Sequence, residues 1–136
     1  MKRLPRLFAF QACAILVAFS SRTAIAAESS AFGKSVAVQR DGKIVVAGDA
    51  YVSGVDRFAL VRYNSDGSLD TTFNSNGKVT TEVGKGTCKG EGVTLQEDGK
   101  IVVVGYSFSA GGQSCFTVLR YGTDGSLDTR DRKSVV

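Results

Sequence analysis

The sequence of 136 residues predicts an all-β protein built from antiparallel, four-stranded repeats. An internal repeat is the first observation, since residues 36–48 align with residues 93–105 at an offset of 57. The second is that Asp-Gly dipeptides, which are typical of tight turns, punctuate both copies. The third is that the apolar runs between those turns have the length of strands. Together these observations favour tandem β-structural units.

The first repeat predicts four strands in chain order. They cover residues 36–39, 43–48, 58–63 and 78–83. The first two flank Asp41-Gly42, a dipeptide typical of a tight hairpin in which both central residues adopt positive φ. The third strand ends at the turn Asp66-Gly67, and the fourth follows Asn76-Gly77.

The hydrophobic pattern predicts how these strands are covered. The second and third carry nearly unbroken apolar runs, which indicate burial on both faces. The fourth alternates, because Val79 and Val83 face one way and Thr80 and Glu82 the other, so one side is expected to be solvated. This combination is typical of a β-propeller-like blade stacked between neighbours. A β-solenoid and a two-sheet sandwich are the alternatives, although a period of 57 is long for a solenoid coil.

The predicted division of the chain follows the repeat. Residues 27–87 form the first repeat and residues 88–130 a second, truncated one. Residues 131–136 match neither the expected turn nor the fourth strand, and they can be encoded by a widely used sequencing adapter. We therefore predict that this tail is not native and that the chain is a fragment of a longer repeat protein. Since propellers close with about four to eight blades, the fold is expected to be incomplete in this chain.

Residues 1–26 have the pattern of a cleaved signal peptide. A basic front is followed by an apolar core over residues 7–19 and a small-residue cleavage site at residues 24–26. The apolar core is shorter than the roughly 20 residues that a membrane-spanning helix needs. We expect a mature chain that begins at Ala27, has no membrane span, and is secreted or periplasmic, with the cell surface as a further candidate location.

The charge balance limits the classes of partner. Four of the 17 Lys and Arg residues lie in the leader and none of the 13 Asp and Glu residues do, so the mature chain has no net charge. A neutral chain lacks the cationic excess that nucleic-acid or membrane-surface binding requires. The expected partner is therefore an unknown protein or cell-surface component, and further repeats or self-association are expected to bury the blade faces.

Three motifs occur in order in both repeats: Asp-Gly-Lys-Ile-Val-Val-x-Gly, Phe-x-x-x-Arg-Tyr and Asp-Gly-Ser-Leu-Asp-Thr. With them the sequence resembles the delta-60 repeat family of secreted bacterial proteins over nearly all of residues 31–130. In that family the last motif continues Thr-Phe-Gly, whereas here Asn74 follows Thr72-Phe73. The resemblance implies a β-propeller-like fold in an extracellular or surface setting. It implies no reaction, because the family is defined by its repeat.

The residue types present exclude several kinds of catalytic and metal site. The sequence has no His, so Ser-His and Cys-His nucleophiles and His-containing zinc sites cannot form. Cys13 lies in the leader, which leaves Cys88 and Cys115. In an oxidising compartment these two are a candidate disulfide, with a pair of free thiols as the alternative. No catalytic and no cofactor-binding residue is predicted.

The recurring Asp residues each precede a Gly, which predicts that their side chains shape turns. The predicted turn residues are Asp41, Gly42, Asp66, Gly67, Asp98, Gly99, Asp124 and Gly125. Asn64, Asp66 and Asp70 are also candidate calcium ligands, because they place three oxygens around a Gly-containing loop. Gly122 replaces the Asn in the second repeat, so the repeat as such does not preserve this set.

These observations favour an exported, non-enzymatic β-repeat scaffold or interaction module. One alternative is an accessory propeller module of a secreted enzyme whose catalytic part lies elsewhere. Another is a calcium-stabilised surface adhesin.

Overall fold

A computed structural model describes residues 30–84, 86–109, 111–129 and 134–135, and there the chain forms eight strands. The predicted signal peptide lies outside the described residues. The strands are β1 (Ala31–Val38), β2 (Ile44–Val52), β3 (Val55–Tyr63), β4 (Lys78–Thr81), β5 (Cys88–Leu95), β6 (Ile101–Phe108), β7 (Ser114–Tyr121) and β8 (Ser134–Val135). They form two four-stranded antiparallel sheets, each in sequential order. The all-β prediction is confirmed.

The first hairpin has a longer loop than the sequence predicts. Gly42 has φ 81°, but Asp41 does not adopt positive φ. The amide of Gly42 donates to the Gln39 carbonyl, and the amide of Gln39 donates to the Lys43 carbonyl. This is the pattern of a type I turn followed by a left-handed glycine, which needs positive φ at one residue instead of two.

The two sheets share their strand registers as well as their order. In the first sheet Gly33 pairs with Gly48, and an irregularity follows before β1 resumes its pairing with β2. In the second sheet Gly90 pairs with Gly105, and the same irregularity follows. The sequence repeat is therefore also a structural repeat, and most residues of β1, β2 and β3 have a defined counterpart in β5, β6 and β7.

Each sheet has two faces that we name by their residues. The front face carries Phe58 and Leu60 in the first sheet, and Phe116 and Val118 in the second. The back face is the opposite one. It carries Val36, Val38, Val46, Val61 and Tyr63 in the first sheet, and Val93, Leu95, Val103, Leu119 and Tyr121 in the second.

The core lies between the front face of the first sheet and the back face of the second. Phe58 and Leu60 are 0% and 1% exposed there and pack in one cluster with Val103 and Leu119. Gly105 lies so close to the Phe58 ring that a Cβ atom at Gly105 would stand 2.8 Å from it. Gly105, which ends the second copy of the Ile-Val-Val-x-Gly motif, thus lets the Phe58 ring of the first sheet approach the second sheet.

Burial on both faces is seen in the first sheet but not in the second. The β3 residues from Phe58 to Tyr63 are all buried, as the apolar run predicts. In the second sheet β6 and β7 correspond to β2 and β3. Along these two strands buried residues alternate with more exposed ones, and Val104, Phe116 and Val118 are exposed. The local sequence is similar in both repeats, so the difference comes from what lies against each face.

A short 3-10 helix (Phe73–Ser75) joins β3 to β4 in the first repeat and contacts the second repeat. Phe73 is fully buried, and its ring lies against Gly125. Asn74 has φ 48°, in the left-handed region, and its amide donates to the Asp124 carbonyl. Asn tolerates this conformation better than most residues, so it can occupy a position where the sequence resemblance led us to expect a glycine.

Within the predicted tail, Ser134 and Val135 form the short fourth strand of the second sheet. Ser134 pairs with Thr117, and Val135 pairs with Phe116, in the register that Thr80 and Thr81 have in the first sheet. Pairing of this kind requires only main-chain groups. The free edge of β7 offers them to any extended segment.

Candidate functional site

A buried charged cluster lies at the end of β3 and is called the Asp70 cluster here. Arg62 Nε donates to Asp70 Oδ2 over 2.7 Å, and Lys43 Nζ lies 3.0 Å from the same oxygen. The Arg62 guanidinium stacks on Phe73 with its carbon 4.4 Å from the ring centroid. It also donates to the Thr123 carbonyl of the second repeat. The Arg of the Phe-x-x-x-Arg-Tyr motif therefore fastens the two repeats together.

The protonation of Asp70 is controlled by its neighbours. Burial opposes ionisation, but hydrogen bonds from Thr72 and Lys43 and the charge of Arg62 outweigh it and hold the pKa of Asp70 far below its usual range. A carboxylate with a lowered pKa stabilises the fold at all pH values above its ordinary pKa. That stabilisation is lost as the pH falls towards the folded-state pKa.

We therefore expect the free energy of unfolding to fall steeply below about pH 4, the ordinary pKa of Asp. Urea unfolding at a series of pH values between 7 and 2 measures this slope. An Asp70→Asn variant is expected to be less stable at pH 7 but to lose less stability on acidification. A variant that retains the full acid sensitivity of the parent chain argues against this role of Asp70.

The structure places the three candidate calcium ligands in different environments. Asn64 Nδ2 and Asp66 Oδ1 both bind the hydroxyl of Ser68, and these hydrogen bonds stay within the turn. Asp70 instead faces Arg62 and Lys43, as described above. In the described ranges no three His, Cys, Asp or Glu side chains converge as a metal site.

The four Asp-Gly turns share one geometry. In each, an Asp Oδ1 accepts a hydrogen bond from the amide two residues later: Asp41 from Lys43, Asp66 from Ser68, Asp98 from Lys100 and Asp124 from Ser126. Each following glycine has φ between 81° and 88°. Bonds from the Ser68 and Ser126 side chains and amides lower the pKa of Asp66 and Asp124.

A second buried acid, which the sequence analysis missed, joins the sheets at the opposite end. Asp49 is 1% exposed and is bound by Lys34 Nζ at 3.1 Å and Lys89 Nζ at 3.0 Å. Lys89 also lies 3.0 Å from Asp56, and Lys34 lies 2.6 Å from Glu91. We call this group the Asp49 bridge. The sequence indicated such a buried acid only by the position of Asp49, which follows the apolar run and Gly48 of β2.

The lysines of the Asp49 bridge are held in their charged form. Burial disfavours the ammonium ions, but hydrogen bonds and carboxylate charges outweigh burial and raise the pKa of Lys34 and Lys89. A fixed ion pair of this kind positions two sheets, and neither amine has the lowered pKa of a catalytic lysine. The Asp49 bridge therefore stabilises the contact between the two repeats.

The structure does not bring the two candidate disulfide residues together. Cys88 and Cys115 are free thiols, and each pairs with Ser107 from opposite sides of β6. Two strand spacings separate their Cα atoms by roughly 10 Å, whereas a disulfide needs about 7 Å or less. A bond within one chain would require β6 to move.

The two thiols are expected to differ in reactivity. Cys88 is fully buried, burial raises its pKa, and its Sγ donates to the Val83 carbonyl, whereas Cys115 is partly exposed. Iodoacetamide under native conditions should therefore label Cys115 and leave Cys88 unmodified until the chain is denatured. Peptide mass spectrometry reads out both sites. Absence of labelling at both, with a mass two hydrogens lower, would instead reveal the disulfide.

The front face of the second sheet exposes a group of apolar side chains. Phe116 is 79% exposed, and Val104 and Val118 are 43% and 41% exposed. Their counterparts Ala47, Phe58 and Leu60 are almost completely buried. Grouped apolar side chains of this kind are typical of sites that contact a protein, a membrane or a ligand.

Comparison with known families agrees with this repeat architecture. A family model described as a domain of unknown function (DUF5122) beta-propeller matches residues 39–73 and 96–130, just over half of the chain. The chain belongs to this β-propeller repeat family. Each match runs from the first hairpin turn through the Asp-Gly-Ser-Leu-Asp-Thr motif, so each lies within one structural repeat and covers its second and third strands. The search of curated proteins gives no match. No helix in the described part of the chain is long and apolar enough to cross a bilayer.

Proposed function

We propose that this chain is an exported, non-enzymatic repeat module of the delta-60 type whose open sheet face binds a partner protein. The observation that carries the proposal is the front face of the second sheet, where Phe116 and Val118 stand exposed at positions that are buried in the first sheet. The leader pattern of residues 1–26 supports export.

The non-enzymatic part of the proposal rests on how the charged groups are used. The buried carboxylates Asp49 and Asp70 are neutralised by Lys and Arg side chains, which removes them as general acids or bases. The sequence also contains no His. These two buried carboxylates hold the repeats together instead of being available for acid–base chemistry.

Export is tested by expressing the full sequence in a bacterial host and separating the periplasm from the cytoplasm. The expected product is found outside the cytoplasm and begins at Ala27. Replacing Ala24 and Ala26 by arginine should block processing and leave the longer form. Cytoplasmic, unprocessed protein from the parent sequence would disprove export.

Partner binding is tested by placing a photo-crosslinking amino acid at Phe116 in the exported protein. Irradiation of intact cells is expected to give discrete adducts from this position. The matched control is the same amino acid at Glu97, an exposed turn residue away from the front face, which should give none. If position 116 gives no more adducts than position 97, the front face is not an interaction surface.

A further inference from the structure

The two sheets have four faces, and the chain itself covers three of them. The front face of the first sheet and the back face of the second pack against each other and form the core. On the back face of the first sheet Ala59, Val61 and Tyr63 are only 7%, 3% and 7% exposed, and the Tyr63 hydroxyl is buried as well. That face is exposed only at its β1 edge, at Val36 and Val38. The front face of the second sheet is therefore the one open face in the described part of the chain.

The exposed apolar side chains of this face form one patch across the two middle strands of the sheet. Val104 on β6 pairs with Val118 on β7, and Tyr106 pairs with Phe116. Directly paired residues of antiparallel strands point to the same face, with Cβ atoms about 4.5–5.5 Å apart. Because β6 and β7 lie between β5 and β8, the patch occupies the centre of the face. We call it the front patch.

The charges beside the front patch are already neutralised within the chain. Arg120 lies on the same face of β7, two residues after Val118, and it binds Asp128 at 2.9 Å. Lys89 on β5 binds Asp49 and Asp56, each at 3.0 Å. Like charges that meet across an interface oppose association. A face that is apolar at its centre and balanced in charge at its margin can therefore contact a copy of itself.

The number of open faces decides how two copies can meet. A head-to-tail contact needs two different open surfaces on each chain, and the described residues offer one open sheet face. A twofold contact needs only one surface, because each copy presents the same patch to the other.

We infer that two copies of this chain form a dimer in which the front face of one second sheet packs on the front face of the other. This inference rests on the proposed function, since it names the partner of the same surface. Each copy uses its open face once, so association stops at two chains.

The dimer contact extends the packing already present within each chain. Sheets that pack face to face lie about 10 Å apart, and their inner side chains interdigitate. The dimer is thus a stack of sheets in which the two second sheets lie inside and the two first sheets outside. Phe116 lies on a middle strand, so the two Phe116 rings lie near the twofold axis and become buried, as Phe58 is in the first sheet.

Sedimentation velocity of the exported, purified chain over a range of concentrations tests the inference. We expect a monomer and a dimer, with a dimer fraction that rises with concentration and no larger species. Phe116→Asp should weaken dimerisation at least about tenfold, because it brings two carboxylates together in an apolar contact. Urea unfolding at low concentration should show that this variant is folded, since Phe116 is 79% exposed in the single chain.

The matched control is Val36→Asp. It also replaces an exposed apolar side chain by a carboxylate, but at the β1 edge of the first sheet, outside the proposed contact. This variant should dimerise like the parent chain. A parent chain that stays monomeric at every concentration, species larger than a dimer, or equal loss of association in both variants would overturn the inference.

The crosslinking experiment maps the contact and separates this inference from the proposed function. Adducts from position 116 should have twice the chain mass, and peptide mass spectrometry should place the second attachment site on the front patch of the other copy. Attachment to the first sheet of the other copy overturns the twofold contact. Adducts at another mass, with a monomer in sedimentation, leave the interaction module standing and overturn the dimer. No adduct from position 116 overturns both.

Discussion

Replacing Asp70 by alanine is expected to destabilise the chain by about 3–5 kcal/mol, because it leaves a buried guanidinium without its counter-ion. The Arg62 and Asp70 side chains are 6% and 3% exposed, so water cannot replace the lost partner. Arg62 would keep its stacking on Phe73 and its bond to the Thr123 carbonyl, and both hold the charge in the buried position. Equilibrium urea unfolding at neutral pH measures the loss.

The matched control is Asp128→Ala, at the corresponding position of the second repeat. Arg120 binds Asp128 there at 2.9 Å, but the two side chains are 24% and 17% exposed. A partly solvated pair contributes less, and we expect a loss of about 1 kcal/mol. Equal losses at the two positions would show that burial of the pair is not the cause.

Replacing Phe58 by alanine should cost about 3–5 kcal/mol, as removal of a fully buried aromatic ring does in a packed core. The Phe58 ring fills the space between the sheets and touches Gly105, which has no side chain to fill a cavity. The expected result in urea unfolding is a lower midpoint, with the transition still cooperative.

Phe116→Ala is the same chemical change at the corresponding position of the second repeat. Phe116 is 79% exposed, so its removal should alter the stability of the isolated chain by less than about 0.5 kcal/mol. The comparison is best made at low concentration, where self-association contributes nothing. A large loss for Phe116→Ala under these conditions would mean that the front face is already covered within one chain.

The sequence predicted the elements of the fold well because those elements depend on local patterns. The strands end at turns formed by Asp-Gly dipeptides, and apolar runs of strand length lie between these turns. The order of the strands can therefore be read from the sequence. The hairpin loop was less predictable, since a two-residue and a three-residue loop both place Gly42 at positive φ.

Burial and pairing were predictable only in part, because they depend on neighbours distant in sequence. Phe58 and Phe116 lie in nearly identical motifs, yet only one is covered. The role of Asp49 depends on Lys89, forty positions away, and no local pattern reveals such a pair. The separation of Cys88 from Cys115 likewise depends on the strand between them.

The Asp49 bridge also bears on how tandem repeats find their correct neighbours during folding. Repeats with near-identical motifs risk docking in the wrong order, a characteristic failure of repeat proteins. A sheet that offers Phe32 where Lys89 stands would leave Asp49 with one cation fewer in a buried place. The shared motifs would allow any two repeats to dock against each other. The Asp49 bridge forms only where Lys89 faces Asp49, so it favours this pair of repeats as neighbours.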